Sequence, residues 1–204
     1  MTPSRREVLK VFGVALALLP LCLAAWYFAA GAINWIPSRL ASPAIGAAAG
    51  KVARIEAAQR NLAYFVEVQG PYRPGSSQVA EARVEVPVAT YTYGIALFAA
   101  LALAVRGWRR PGRLAVGVAI LLVLPTVGVA FDALRQLGSA PDLAPLLGWK
   151  GGTREAIALG YQVGSLLLPT LAPIITWLVL YPETFSGRPS VGSRTRTAGS
   201  AESA

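Results

Sequence analysis

Residues 156–182 read AIALGYQVGSLLLPTLAPIITWLVLYP, with no charged side chain between Glu155 and Glu183. One helix of this length crosses the roughly 30 Å hydrocarbon core of a bilayer, so the chain reads as a membrane protein and this stretch as its last span. Tyr161, Ser165, Pro169, Pro173 and Trp177 recur at i, i+4, which places them on one slowly winding stripe of a helix, with Gln162 beside it. Pro169 and Pro173 lack the backbone donors that Ser165 and Pro169 would use. In lipid those carbonyls must find a neighbouring helix, a hydroxyl or water. Gly160 and Gly164 form a small-xxx-small notch that lets another backbone approach. The face fits two readings: a specific partner surface, or ordinary packing of a kinked helix.

Composition agrees with a membrane setting. Of the 204 residues 54% are hydrophobic and 14% charged, and the mean hydropathy is +0.51, which argues against a large soluble core. The net charge is +9, yet the arginines sit in short clusters beside apolar runs. That is the pattern of topology determinants and not of a nucleic-acid-binding domain.

Outward from the last span, the chain reads as an all-α integral membrane protein with four transmembrane helices and a small extracytoplasmic insertion. Residues 1–10 carry Ser4-Arg5-Arg6-Glu7-Val8-Leu9-Lys10, similar to the twin-arginine export signal with Val8 where Phe is usual. The apolar run that follows, residues 11–37, exceeds the about 7–15 residues of a signal h-region, and further spans follow it. It reads as a signal anchor with Trp26, Tyr27 and Trp35 toward its outer end. Ala29, Ala30 and Ala32 keep cleavage as the alternative.

Residues 38–88 are too polar for the membrane and too few for an independent domain of ordinary size. Ile45, Ala48, Val52, Ile55, Ala58 and Leu62 repeat at helical spacing, which predicts an amphipathic helix. Two β-rich runs, Leu62–Val68 and Val79–Val88, flank a cluster of turn formers and predict a hairpin. Val84, Val86 and Val88 alternate with Arg83, Glu85 and Pro87, as in a strand covered on one side.

The second span is residues 89–105, with Tyr91 and Tyr93 at its outer end. The loop 106–113 holds Arg106, Arg109, Arg110 and Arg113 and is the strongest cytoplasmic signal in the chain. The third span, 114–131, ends at Asp132, which Arg135 can pair if the helix continues. An external loop, 132–155, precedes the last span. Residues 183–204 read as a disordered cytoplasmic tail. Both termini then lie on the cytoplasmic side of a bacterial inner membrane. Arg39, Lys51, Arg54, Arg60, Arg73 and Arg83 in the first external segment run mildly against the positive-inside rule.

The side chains offer little chemistry. There is no histidine, and Cys22 is the single cysteine, so no disulfide, no Cys/His metal site and no activated thiol is expected from this chain alone. No phosphate-binding or dinucleotide fingerprint occurs. No catalytic residue, cofactor or metal ligand is assigned, and the chain does not read as an enzyme. Helix-packing or partner contacts are expected at Tyr93, Asp132, Arg135, Gly160, Tyr161, Gln162, Gly164, Pro169 and Pro173.

Glu85-Val86 leading to Tyr91-x-Tyr93-Gly94, Phe131-Asp132, Gly160-Tyr161-Gln162-x-Gly164 and Leu168-Pro169-x-Leu171-Ala172-Pro173 together resemble the exosortase H-associated membrane proteins. Thr92, where a glycine would fit better, and Ser165 depart from that pattern. The resemblance implies an accessory subunit of a membrane-embedded exosortase, a transpeptidase-like enzyme that processes C-terminal sorting signals. The catalytic Cys, Arg and His would belong to that enzyme. A homo-oligomer is also compatible with the notched last helix. The competing reading is a small carrier or channel component working as an oligomer, for which interrupted helices and Gln162 are the attraction. Sparse intramembrane charge and the lack of an inverted repeat weigh against it.

Overall fold

A computed structural model describes residues 5–58, 61–69 and 79–186. The turn-forming cluster at 70–78 and the tail beyond 186 lie outside the described residues. In chain order the principal elements are α1 (Arg5–Ile33), α2 (Trp35–Ala49), β1 (Lys51–Ala58), β2 (Asn61–Gln69) and β3 (Val79–Val86). Then come α3 (Ala89–Ala104), α4 (Pro111–Ser139) and α5 (Gly151–Leu180).

Three helices, α1 from Val8 onward, α4 and α5, are long and apolar enough to cross a membrane. Helix α3 is the shorter apolar helix of the set, spanning about 24 Å at the helical rise. Only 11% of the most apolar window of α1 is buried within the protein. So large an exposed apolar face is at home in lipid.

Prolines set the breaks. Pro37 cannot donate to the Ile33 carbonyl, and the boundary between α1 and α2 falls at Asn34. Pro125 follows an interruption of α4 at Leu124. Ahead of Pro169, α5 widens into a π-turn at Val163–Leu167. A proline four residues on leaves the Ser165 carbonyl without its usual donor, and such local rewinding is how a helix accommodates the loss.

The molecule has two storeys. At one end the inner face of the sheet, Tyr64, Val66, Val84 and Val86, packs on Ile45 of α2 and on Val129, Ala133 and Leu137 of α4. Toward the other end Phe98, Leu101, Leu121, Trp177 and Tyr181 form the core among α3, α4 and α5. Small residues bring α3 against α1, where Ala96 and Ala100 lie beside Cys22. At the arginine-rich end, Arg113 donates to the Leu180 carbonyl at 2.9 Å and pairs with Glu183 at 2.8 Å, and Arg110 pairs with the same carboxylate.

The insertion differs from its expected form. The hairpin is present as β2 and β3, and Val84, Val86 and Val88 are buried while Arg83 and Glu85 are exposed. The amphipathic helix stops at Ala49, however, and Val52, Ile55 and Ala58 belong to a third strand in the order β1-β2-β3. Gly50 makes the change of direction at φ 134°, where a β-carbon would strike the Glu67 carbonyl. The misleading period has a physical origin. Val52 faces Val66 and Ile55 faces Tyr64, with the register shifting between Val52 and Arg54. The bulge inserts Ala53 and places two residues three apart on the same buried face, so a strand imitates helical spacing.

Candidate functional site

The residues singled out in α3, α4 and α5 converge where the sheet meets the helices. Asp132, Arg135 and Gln136 stand at i, i+3 and i+4 on α4 and therefore share a face. Asp132 is only 3% exposed, and a buried carboxylate needs donors. It has three: the Tyr91 hydroxyl donates to Oδ2 at 3.0 Å, Arg135 Nη2 to Oδ1 at 3.1 Å and Gln136 Nε2 to Oδ1 at 3.2 Å. The same Gln136 amide donates to the Glu85 carbonyl at 3.0 Å and so ties β3 to α4. The Arg135 guanidinium lies 4.4 Å over the Tyr161 ring and adds α5 to the group.

Beneath this cluster two helices touch through their backbones. A β-carbon on Gly164 would sit 2.5 Å from the Gly128 Cα. One on Gly160 would sit 2.5 Å from the Phe131 ring. Gly128 is in turn covered by the Tyr91 ring. Lower still, Gly94 lies against Pro169 and Pro173, and a β-carbon there would meet the Pro169 carbonyl at 2.7 Å. The notch of the last helix is thus filled by α4 and its proline face by α3, both from the same chain. The Thr170 hydroxyl donates to the Leu166 carbonyl at 2.8 Å, inside the interrupted turn.

Of the nine expected contact positions, Asp132, Arg135, Gly160, Tyr161, Gly164, Pro169 and Pro173 join this packed seam. Tyr93 is half-buried and takes no part in the polar cluster. Gln162 points away from it and is exposed, on an outward face with Leu159, Val163 and Leu166. Sequence reasoning passed over Tyr91 and Gln136 as network members. Gln136 was accessible from its i+4 spacing to Asp132, whereas Tyr91 meets Asp132 only through tertiary structure.

A second polar column was also missed. The Thr92 hydroxyl donates to Asn34 Oδ1 at 2.8 Å, the Ser38 hydroxyl to the Asn34 carbonyl at 2.8 Å, and the Tyr64 hydroxyl to the Ser38 carbonyl at 3.2 Å. Thr92 is therefore a hydrogen-bonding member of the α1–α3 contact. The signal was Asn34 itself, the one side-chain amide in the apolar run 11–37. Burial pushes the Tyr64 phenol up to about 12.

Chemically, the Asp132 cluster is a clamp. Its carboxylate is engaged by three donors, Cys22 is buried among alanines, and no histidine exists to act as a base. Among the described residues no group of three or more His, Cys, Asp or Glu side chains gathers as a metal site.

The family model described as exosortase H-associated membrane protein matches residues 5–184. The chain belongs to that family. No curated protein and no solved structure matches it.

Proposed function

We propose that this family member is a non-catalytic companion subunit of exosortase H in the bacterial inner membrane, docked through the outward face of α5. The observation that carries the reading is Gln162. It lies seven residues past Glu155, the last charge before the span, and so about 10 Å along the helix. Its neighbours on that face are the exposed Leu159, Val163 and Leu166. A primary amide facing hydrocarbon has no water to satisfy its two donors and its acceptor, and it gains by meeting a polar group on another helix. The filled notch supports the same choice of face, because Gly160, Gly164, Pro169 and Pro173 are already occupied within the chain.

In this reading four helices span the membrane, α3 being the short one enclosed by its neighbours, with both termini cytoplasmic. The loop at Arg106–Arg113 supports that orientation. The sheet then stands outside, where the partner would process sorting signals. An accessory role agrees with side chains that offer a clamp and no nucleophile with an activating base.

The test is detergent-resistant co-purification with exosortase H at matched membrane levels. Gln162→Leu is expected to weaken association by up to roughly thirtyfold, the equivalent of a helix-to-helix hydrogen bond of about 0.6–2 kcal/mol. Val179→Phe, at a site 70% exposed, should leave it unchanged. Unaltered co-purification of Gln162→Leu, with loss of the complex on removing residues 51–86, would move recognition to the sheet.

A further inference from the structure

A cavity of about 280 Å³ opens beside the junction of α1 and α2, between the helix and the β1–β2 end of the sheet. Its helical wall is two rows at i, i+4 spacing: Trp26, Ala30, Asn34 and Tyr27, Gly31, Trp35. Trp26 and Tyr27 stand at one end of the rows and Asn34 and Trp35 at the other, with Ala30 and Gly31 between them, so the small residues create the depression. Ala57, Asn61 and Leu62 face them from the sheet side. Gly31 has no packing reason to be small, since a β-carbon there would meet nothing within 4 Å. Asn34 is 6% exposed, and its Oδ1 accepts from Thr92. Its NH2 donors have no partner among the described residues, and the side chain lines the slot.

We propose that this slot binds one glycerophospholipid of the surrounding leaflet. The apolar span ends at Ile33, so Asn34 stands where hydrocarbon gives way to ester and phosphate oxygens. Those oxygens are acceptors that match an unclaimed amide. Trp26 lies eight residues below Asn34, about 12 Å down the helix, a reach that carries an upper acyl segment past the indole and phenol rings. Trp35, next to Asn34, stands at the interfacial depth that tryptophan favours. Lipid is also the medium that surrounds α1, whose apolar window is almost wholly uncovered by protein. The bound lipid would act as mortar between the span and the overhanging sheet. This site is independent of the docking face on α5.

The full chain, purified in detergent and incubated with palmitoyl-oleoyl phosphatidylethanolamine, is read by native mass spectrometry after activation that strips loosely held lipid. Wild type should retain one lipid per chain. A β-carbon at Gly31 meets nothing within 4 Å, so Gly31→Leu projects its side chain into the slot and should lower the bound-to-free ratio by about tenfold, as should Asn34→Leu. Gly13→Leu is the control, because an added β-carbon there also meets nothing within 4 Å and the site is remote from the slot. Equal retention in Gly31→Leu and wild type would overturn the proposal, as would equal loss in Gly13→Leu. If Gly31→Leu keeps lipid and instead loses co-purifying exosortase H, the slot takes a protein segment and the lipid assignment is wrong.

Discussion

Asp132 gathers donors from α3 and α4, so its removal is felt across the sheet-to-helix junction. Asp132→Ala leaves the buried Tyr91 hydroxyl without its acceptor, and a stranded buried donor costs about 1–3 kcal/mol. Tyr91→Phe removes one donor and should cost about 1 kcal/mol. Because the two side chains touch at 3.0 Å, the double variant should lose less than the sum, by about 0.5–3 kcal/mol. Equilibrium unfolding in detergent reads all three, and strict additivity would deny the clamp. At Gly164 the neighbour is the Gly128 backbone and cannot swing aside, so Gly164→Ala should cost about 1–3 kcal/mol as overpacking. From sequence alone the same glycine fits a partner helix as well as packing within the chain. Tyr64 gives a pH signature. Its folded value, about 12, lies above the unfolded tyrosine value near 10. The stability it contributes is therefore complete below about pH 10 and disappears as the pH climbs through about 12. Tyr64→Phe should flatten that alkaline limb.

Among the elements, those with strong local signals were legible: the apolar runs that became α1, α3, α4 and α5, and the alternating valines of β3. The pairing of Asp132 with Arg135 also followed from spacing. What misled was β1, where the bulge at Ala53 puts Val52 and Ile55 on one face and gives a strand the three-residue beat of a helix. Tyr91 and Gly128 were not recoverable as site members, because their partners lie on other helices and no local period points to them. The bulge yields its own prediction. Deleting Ala53 restores a regular ladder and keeps Val52 opposite Val66, so the sheet should still fold. Deleting Glu56 turns Ile55 and Val52 away from the core, and the variant should lose protease resistance across residues 51–86. Equal resistance of the two deletions would contradict the observed register.

For the whole molecule, the α5 seam is closed internally and the sheet is tied down by Gln136, while the outward face of α5 presents an exposed Gln162 among exposed Leu159, Val163 and Leu166. Topology is the first requirement of that account. Reporter fusions at Ser77, Gly112, Ala140 and Ser200 should read outside, inside, outside and inside, and an outside reading at Gly112 would invert it. The buried clamp and the closed seam occupy side chains in holding four apolar helices and a sheet together, as the proposed companion role requires. The subunit's contribution to sorting would then be made through contact. The most direct measurement is site-specific photocrosslinking in membranes that contain exosortase H, with the photoreactive residue placed in turn at Gln162, at Pro173 and at Glu56. A crosslink to exosortase H is expected from Gln162 and none from the buried Pro173. A crosslink from Glu56 on β1 with silence at Gln162 would contradict it.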